Sequence, residues 1–403
     1  MKSKFKIIND PVHGIITIPN ALVYDIIQHR FFQRLRNISQ NGLTELVYPG
    51  AKHSRFNHAL GCMHLMQKAI EILKVKGVSI TEEEEKGAYV AILLHDLGHG
   101  PFSHSLEYSI IDGSHHEEIS LQMMEKINDE FDGQLTLAIS IFKGGYHKKF
   151  LSQLVSSQVD VDRLDYLKRD SFFTGVVEGN INPERIISMM NVADNELVID
   201  AKGISSVEKF LMARLFMYNN VYLHKTSFSA ENYLIQVLRR AKELTRAGKK
   251  LFTTTAFRYF LEGNESGRLS DEGLELFARL DDSDVMSAIK EWQLNDDLIL
   301  SKLAQCIVKR NLPKSSVFLY PISEDEIKKE EQKVKDFLNI EDASYFVQQS
   351  EIKISPYQEG KYPIKFLFKN GNVEEITSTP QSLLREVLKQ PVTKFHYHTL
   401  KLK

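Results

Sequence analysis

Residues 81–107 read TEEEEKGAYVAILLHDLGHGPFSHSLE. Thr81 ahead of four glutamates is a helix start. Its hydroxyl caps backbone N–H groups, and the carboxylates suit the positive end of the helix dipole. The acidic run itself reads as a solvated first turn. The helix continues through the apolar run 88–94 and ends around Gly98-His99-Gly100-Pro101. At its end stand His95 and Asp96. A charged Asp96 on an otherwise apolar helix is costly unless it is paired or bound to a metal. Gly98 and Gly100 let the chain turn and let a ligand approach the backbone.

Working outward, Asp10-Pro11, Gly14 and Pro19 break a β-branched stretch that reads as the start of a strand or hairpin. Helical spacing predicts one helix over 21–38 and a second, capped by Ser54, that stops near Gly77. Further helices are expected at 114–129, 133–142, 150–170, 183–193, 205–245, 251–262, 270–280 and 282–291. Beyond residue 300 the pattern changes. Residues 317–320, 345–354, 364–368 and 374–376 alternate like strands, and a charged helix spans about 323–338. The chain is therefore read as mainly α, a helical bundle core with a smaller C-terminal α+β lobe. The expected division is 1–50, 51–300 and 301–403.

The 403 residues carry 51 Lys+Arg against 53 Asp+Glu, a net charge of −2, which excludes a bulk polyanion binder. The basic run Arg239, Arg240, Lys242, Arg246, Lys249 and Lys250 lacks interleaved aromatics and reads as a solvated helix end, so nucleic acid is not an expected partner. Cys62 and Cys306 make no disulfide framework, and a reducing compartment is the default. The start of the chain has no apolar signal region. Residues 88–94 are far too short to span a membrane, so a cytoplasmic location is expected. Of 14 histidines, eight lie between His53 and His116, where an even spread would put about two. The chemistry is expected there.

His58, His95, Asp96 and Asp162 form a donor set of imidazoles and carboxylates. It suits a divalent ion such as Mn, Fe, Ni, Co or Zn, with Mg able to accompany substrate phosphates. Taken singly, His58 also reads as a satisfied helix histidine and Asp96 as a capping group. The signal lies in the conjunction of SRFNH (54–58), HDLGHGPFSHSLE (95–107) and VDVDRLDYLKRD (159–170).

At these strings the chain resembles the HD-domain metal-dependent phosphohydrolases. His58, His95-Asp96 and Asp162 match their H…HD…D signature, and the longer strings resemble the dNTP triphosphohydrolase branch over residues 6–231. The resemblance implies an HD-domain bundle that cleaves dNTPs to deoxynucleoside and tripolyphosphate. His104 with Glu107 and His116 with Glu117 match the family's catalytic His–acid pairs. His99 is a further candidate, because imidazole titrates nearest neutrality. Arg55 and Arg163 would hold phosphates, Arg163 standing where the family commonly has Lys. Tyr166 would stack on the sugar, and Gln40 and Asp170 would bind the 3′-OH. Arg169 reads instead as the ion-pair partner of Asp165, four residues earlier.

His224 and Lys225 keep a His–basic pair of the family's substrate site. Its phosphate-binding Arg and base-proximal Tyr and Gln align here with Asn220, Phe228 and Ser229. These departures leave a nucleotide monophosphatase or phosphodiesterase, or a weakly catalytic nucleotide sensor, as alternatives. Lys6, Asn9, Gln33, Arg34 and Arg36 stand where family members contact an activator nucleotide. Gln28 replaces a guanine-reading Asp, and a neutral amide cannot accept two guanine N–H bonds as a carboxylate does. The resemblance also implies a homo-oligomer, dimer or tetramer.

Overall fold

The computed structural model describes residues 6–402 apart from 112, 114, 356, 358–361 and 389, and it leaves out the side chains of 104, 107 and 108. Three helices position the site. The helix Arg55–Val75 starts at Ser54, whose hydroxyl and N–H both donate to Asn57 Oδ1, at 2.9 and 3.3 Å. The helix Glu82–Leu94 starts at the cap expected at Thr81, and the cap is a reciprocal box with Glu84. Glu84 N donates to Thr81 Oγ1 at 3.2 Å, and Thr81 N donates to Glu84 Oε2 at 2.8 Å. The helix Val161–Thr174 is capped by Asp160, which accepts from Arg163 N at 2.7 Å, and it ends at left-handed Gly175.

The helix Glu82–Leu94 is buried on every side over Gly87–Leu94, packed between Arg55–Val75 and Thr136–Phe142. Side chains of this kind contribute about 1.5–3 kcal/mol each on burial. That burial places the end of the helix, with His95 and Asp96, inside the bundle. The acidic first turn is not wholly solvated as expected. Glu84 is buried and also accepts from Tyr146 Oη at 2.7 Å and Lys148 Nζ at 2.8 Å.

Several expected helices are broken. Residues 21–38 divide at His29, whose extended backbone ends Ala21–Gln28 and whose Nδ1 accepts from Phe31 N at 3.3 Å. His224 does the same between the π-turn Tyr218–Tyr222 and the helix Lys225–Arg246, accepting from Thr226 N at 3.3 Å. The expected helix 150–170 is two, Lys149–Val155 and Val161–Thr174. Expected helix 183–193 becomes Pro183–Met189 followed by the strand Met190–Ala193. Leu298–Val308 is a helix that the sequence reading passed over.

Ile7–Asp10 and Gly14–Thr17 form an antiparallel hairpin with Ile7 opposite Thr17. A four-stranded sheet runs in the order Met190–Ala193, Glu196–Asp200, Lys365–Leu367, Val373–Glu375, and its middle pair is parallel. A three-stranded antiparallel sheet centres on Val392–Thr399, flanked by Lys314–Phe318 and Gln348–Ile354. One continuous apolar core links the bundle to the C-terminal segment. No helix among the described residues is long and apolar enough to cross a membrane.

Candidate active site

His58, His95, Asp96 and Asp162 converge where the three helices meet. His58 Nε2 lies 3.0 Å from Asp162 Oδ1 and 3.5 Å from Asp96 Oδ2. His95 Nε2 lies 3.4 Å from Asp96 Oδ1 and 3.5 Å from Asp162 Oδ1. Each imidazole is anchored from behind through its other nitrogen. His58 Nδ1 donates to Asp165 Oδ2 at 2.8 Å, and His95 Nδ1 to the Ile92 carbonyl at 2.6 Å. Both Nε2 atoms therefore face the carboxylates, the arrangement that metal-ligating histidines need. His95 Nε2 is buried with no hydrogen-bond partner. An orphaned buried nitrogen beside two carboxylates fits a divalent cation.

Electrostatics binds the cluster together. Burial works to raise Asp162 and Asp96, yet His58 and His95 hold Asp162 well below the usual carboxylate range, and Arg55 with the same two histidines does so for Asp96. Burial pulls His58 and His95 down, but adjacent groups, Asp162 among them, hold both above the usual imidazole range. Cys62 Sγ lies 3.5 Å from the His58 ring nitrogens, and burial pushes its thiol well up.

Beside the cluster opens a cleft of about 670 Å³. Gln40, Arg55, His95, Asp96, His99, His116, Glu117, Asp162, Arg163, Tyr166 and Asp170 all line it. Arg55 is held by Asp96 and by Ser103 Oγ, the latter at 2.6 Å. Arg163 pairs with Asp160. The rings of His99 and His116 stack at 3.9 Å. Asp170 is buried between His53 Nε2 and Tyr222 Oη, each at 2.7 Å. The side chains of His104 and Glu107 lie outside the described residues.

The HD domain family matches residues 55–170, and the HD associated region matches residues 181–347. A crystal structure of a phosphohydrolase from Bacteroides thetaiotaomicron is 46% identical with a TM-score of 0.94, covering 99% of this chain and 100% of that one. The chain belongs to the HD-domain phosphohydrolases. The uncharacterized YwfO of Bacillus subtilis is 33% identical to this HD phosphohydrolase over 392 residues, 93% of this chain and 88% of the relative. The Dictyostelium discoideum homologue of the deoxynucleoside triphosphate triphosphohydrolase SAMHD1 is 35% identical over 265 residues, 61% of this chain and 51% of the relative. That match spans about half of the Dictyostelium protein.

Other expectations are corrected. His224 and Lys225 are not among the cleft residues: His224 caps a helix, and Lys225 is exposed. Phe228 packs edge-on to His396 at 4.7 Å, and Ser229 Oγ accepts from Ser315 Oγ at 2.8 Å, so both face the C-terminal sheet. Tyr218 and Tyr222 are aromatics that do reach the cleft. Arg34 is buried, and its guanidinium donates to the carbonyls of His99 (2.7 Å), Leu280 (2.8 Å) and Leu97 (3.3 Å), so it is no surface contact for a nucleotide. Lys6, Asn9 and Arg36 are exposed, Lys6 over Tyr24 and Arg36 over Phe56. Gln33 donates to the Ile27 carbonyl at 2.6 Å and accepts from Arg36 Nε at 2.8 Å. Gly98 opens no path for a ligand: a Cβ there would stand 2.2 Å from the His116 carbonyl oxygen, so the glycine admits the helix His116–Glu130.

Residues that sequence reasoning missed also line the cleft. Arg214 lines the cleft from the helix Ile204–Met217, a third guanidinium beside Arg55 and Arg163. A buried-face arginine in that helix's apolar pattern was a readable signal. Glu231 lines the cleft too. Burial pushes its carboxyl up to about 7, against hydrogen bonds from Ser105 and Leu43 N. Nothing local marked it. Arg169 pairs with Asp165 as read, at 2.8 Å.

Proposed function

We propose that this HD phosphohydrolase hydrolyses deoxynucleoside triphosphates to deoxynucleoside and tripolyphosphate. The observation that carries the reading is one cleft with the His/Asp cluster on its floor and Arg55, Arg163 and Arg214 on its walls. Three guanidiniums suit the several charges of a triphosphate, since Arg forks bind phosphate oxygens bidentately. Arg214 stands in for the phosphate-binding Arg that Asn220 lacks.

A divalent ion of the Mn, Fe, Ni, Co or Zn type, when bound by His58, His95, Asp96 and Asp162, supplies Lewis-acid polarisation of a phosphoryl oxygen and lowers the pKa of water. Water adds to the α-phosphorus, the Pα–O5′ bond breaks, and O5′ takes a proton as it leaves. His116 with Glu117, or His104 with Glu107 as the resemblance implies, delivers that proton. His99 stacks on His116 and fixes its ring. Tyr166 and Tyr222, ring centroids 6.2 Å apart, form an aromatic wall for the sugar, with Gln40 and Asp170 at its hydroxyl. The reading also includes a nucleotide activator, contacted through the exposed N-terminal residues, and a homo-oligomer.

The test is anion-exchange analysis of products from each dNTP, singly and mixed, with Mn²⁺ or Mg²⁺. Deoxynucleoside plus tripolyphosphate is expected from the wild type and none from His95→Ala/Asp96→Ala, with bound metal lost alongside. Turnover only with the mixture assigns an activator site. Release of orthophosphate from monophosphates alone would replace the reading with a nucleotidase.

A further inference from the structure

The hairpin formed by Ile7–Asp10 and Gly14–Thr17 lies far from the ligand helices in sequence, yet two of its side chains enter the support of the metal cluster. His13 Nε2 donates to Asp165 Oδ1 at 2.6 Å, with both side chains wholly buried. The other Asp165 oxygen accepts from His58 Nδ1 at 2.8 Å. Arg169 grips the same carboxylate through Nε (2.8 Å) and Nη2 (3.0 Å) and reaches Asp10 Oδ2 through Nη1 at 2.9 Å. Asp10 Oδ1 in turn accepts from the backbone N–H groups of Val12 and His13, each at 2.9 Å, which fixes the hairpin's turn. Gly61 makes room for this: a Cβ there would stand 2.0 Å from Asp165 Oδ1.

We propose that His13 is a positioning residue of the metal centre, holding Asp165 so that His58 keeps its Nε2 toward the metal, and that hairpin docking and metal binding therefore reinforce each other. Asp165 has one carboxylate for three partners. With Arg169 alone on Oδ1, the carboxylate turns toward the guanidinium fork, and the bond that sets the His58 tautomer weakens. Loss of such outer partners typically costs 10–100-fold in metal affinity. Linkage makes the effect reciprocal, so metal binding must tighten the hairpin by the same factor. The inference rests on the metal-centre reading of His58 and is independent of the substrate.

The experiment is a Mn²⁺ titration of the full chain, monitored by calorimetry, with Tm recorded for each variant. His13→Leu removes the donor and keeps the bulk. His13→Gln keeps an N–H at a similar reach. Ile16→Ala destabilises the hairpin from its buried face without touching the network. We expect Kd for Mn²⁺ to rise at least tenfold in His13→Leu, to return most of the way in His13→Gln, and to rise clearly less in Ile16→Ala than in His13→Leu at a comparable loss of Tm, because Asp165 keeps its donor whenever the hairpin is docked. Wild-type affinity in His13→Leu, or an equal loss in Ile16→Ala, overturns the proposal. If His13→Leu does not fold, hydrogen exchange on the unaltered protein decides. Hairpin amides must exchange at least tenfold more slowly once Mn²⁺ is bound, and unchanged exchange overturns the proposal. A wild type that takes up no Mn²⁺ or other divalent ion fails the metal-centre reading itself, a result distinct from the others.

Discussion

Asp165 shows how much of the candidate metal site lies outside its candidate ligands. It touches no substrate-facing surface, yet four hydrogen bonds end on it, from His13, His58 and twice from Arg169. The Gly61→Ala variant should push this carboxylate and the Arg169 guanidinium, 2.3 Å from the added carbon, off their partners. The expected cost is about 3–5 kcal/mol by urea unfolding, in the range of broken buried pairs. Bound Mn²⁺ should fall in parallel, and unchanged stability would contradict the packing. Glu231 makes a pH prediction. Its carboxyl is raised to about 7 in the fold against an ordinary 4.5, so the folded state holds the extra proton between those values. Stability must then fall as pH rises from 4.5 to 7. Glu231→Gln should flatten that slope and stabilise the protein at pH 8 by about 1 kcal/mol, less than the full shift, because the carboxyl borders the open cleft. Thermal melts at pH 5 and pH 8 measure it.

Elements are set here by caps as much as by apolar faces. The helix Glu82–Leu94 begins where Thr81 and Glu84 exchange hydrogen bonds, and it runs straight into His95-Asp96. Glu84 adds bonds from Tyr146 and Lys148, so the start of the helix that leads into His95-Asp96 is tied to the segment after Thr136–Phe142. Glu84→Ala should cost about 2 kcal/mol, since it removes the buried carboxylate that the half-buried Tyr146 hydroxyl and Lys148 ammonium bond to, as well as the cap. Exposed Glu83→Ala should change stability by less than about 0.5 kcal/mol. Equal costs in urea would return Glu84 to a solvated turn. The breaks at His29 and His224 follow the same rule in reverse. A histidine whose Nδ1 accepts from an N–H two residues on ends one helix and opens the next.

Across the whole molecule the strands bind distant parts of the chain together. The parallel pairing of Glu196–Asp200 with Lys365–Leu367 ties the C-terminal segment to the helical body. Glu208, buried in the helix Ile204–Met217, accepts from Ser382 Oγ at 3.0 Å and from the N–H groups of Leu383 and Leu384. A chain ending at residue 313 would strip Glu208 of these partners and the strand Glu196–Asp200 of its parallel neighbour Lys365–Leu367. It should aggregate or unfold at 25 °C, as size-exclusion chromatography and circular dichroism would show. A folded, monodisperse fragment would make the C-terminal segment a separate domain. Closer to the cleft, Asp282 accepts from Ser39 N at 2.9 Å and Phe102 N at 2.7 Å. It helps hold Phe102 and Ser103 in left-handed backbone (φ 56° and 55°), a conformation that costs about 1–2 kcal/mol per residue.

What the sequence by itself determined was the local chemistry. The caps at Ser54 and Thr81, the apolar run that buries the end of a helix, the His95-Asp96 donors that follow it and the Arg169–Asp165 pair are each written within a few residues. Short-range hydrogen bonds and helical periodicity suffice to specify them. Tertiary structure alone decided which groups stand behind and around those donors. His13 reaches Asp165 across 152 residues, His53 reaches Asp170 across 117, and Arg34 reaches Leu280 across 246. Arg214 and Glu231 enter the cleft only because the turn at Tyr218–Tyr222 redirects one apolar pattern into two helices. No local rule sets such contacts, because their energy comes from burying polar groups against partners that only the folded chain brings within hydrogen-bonding distance.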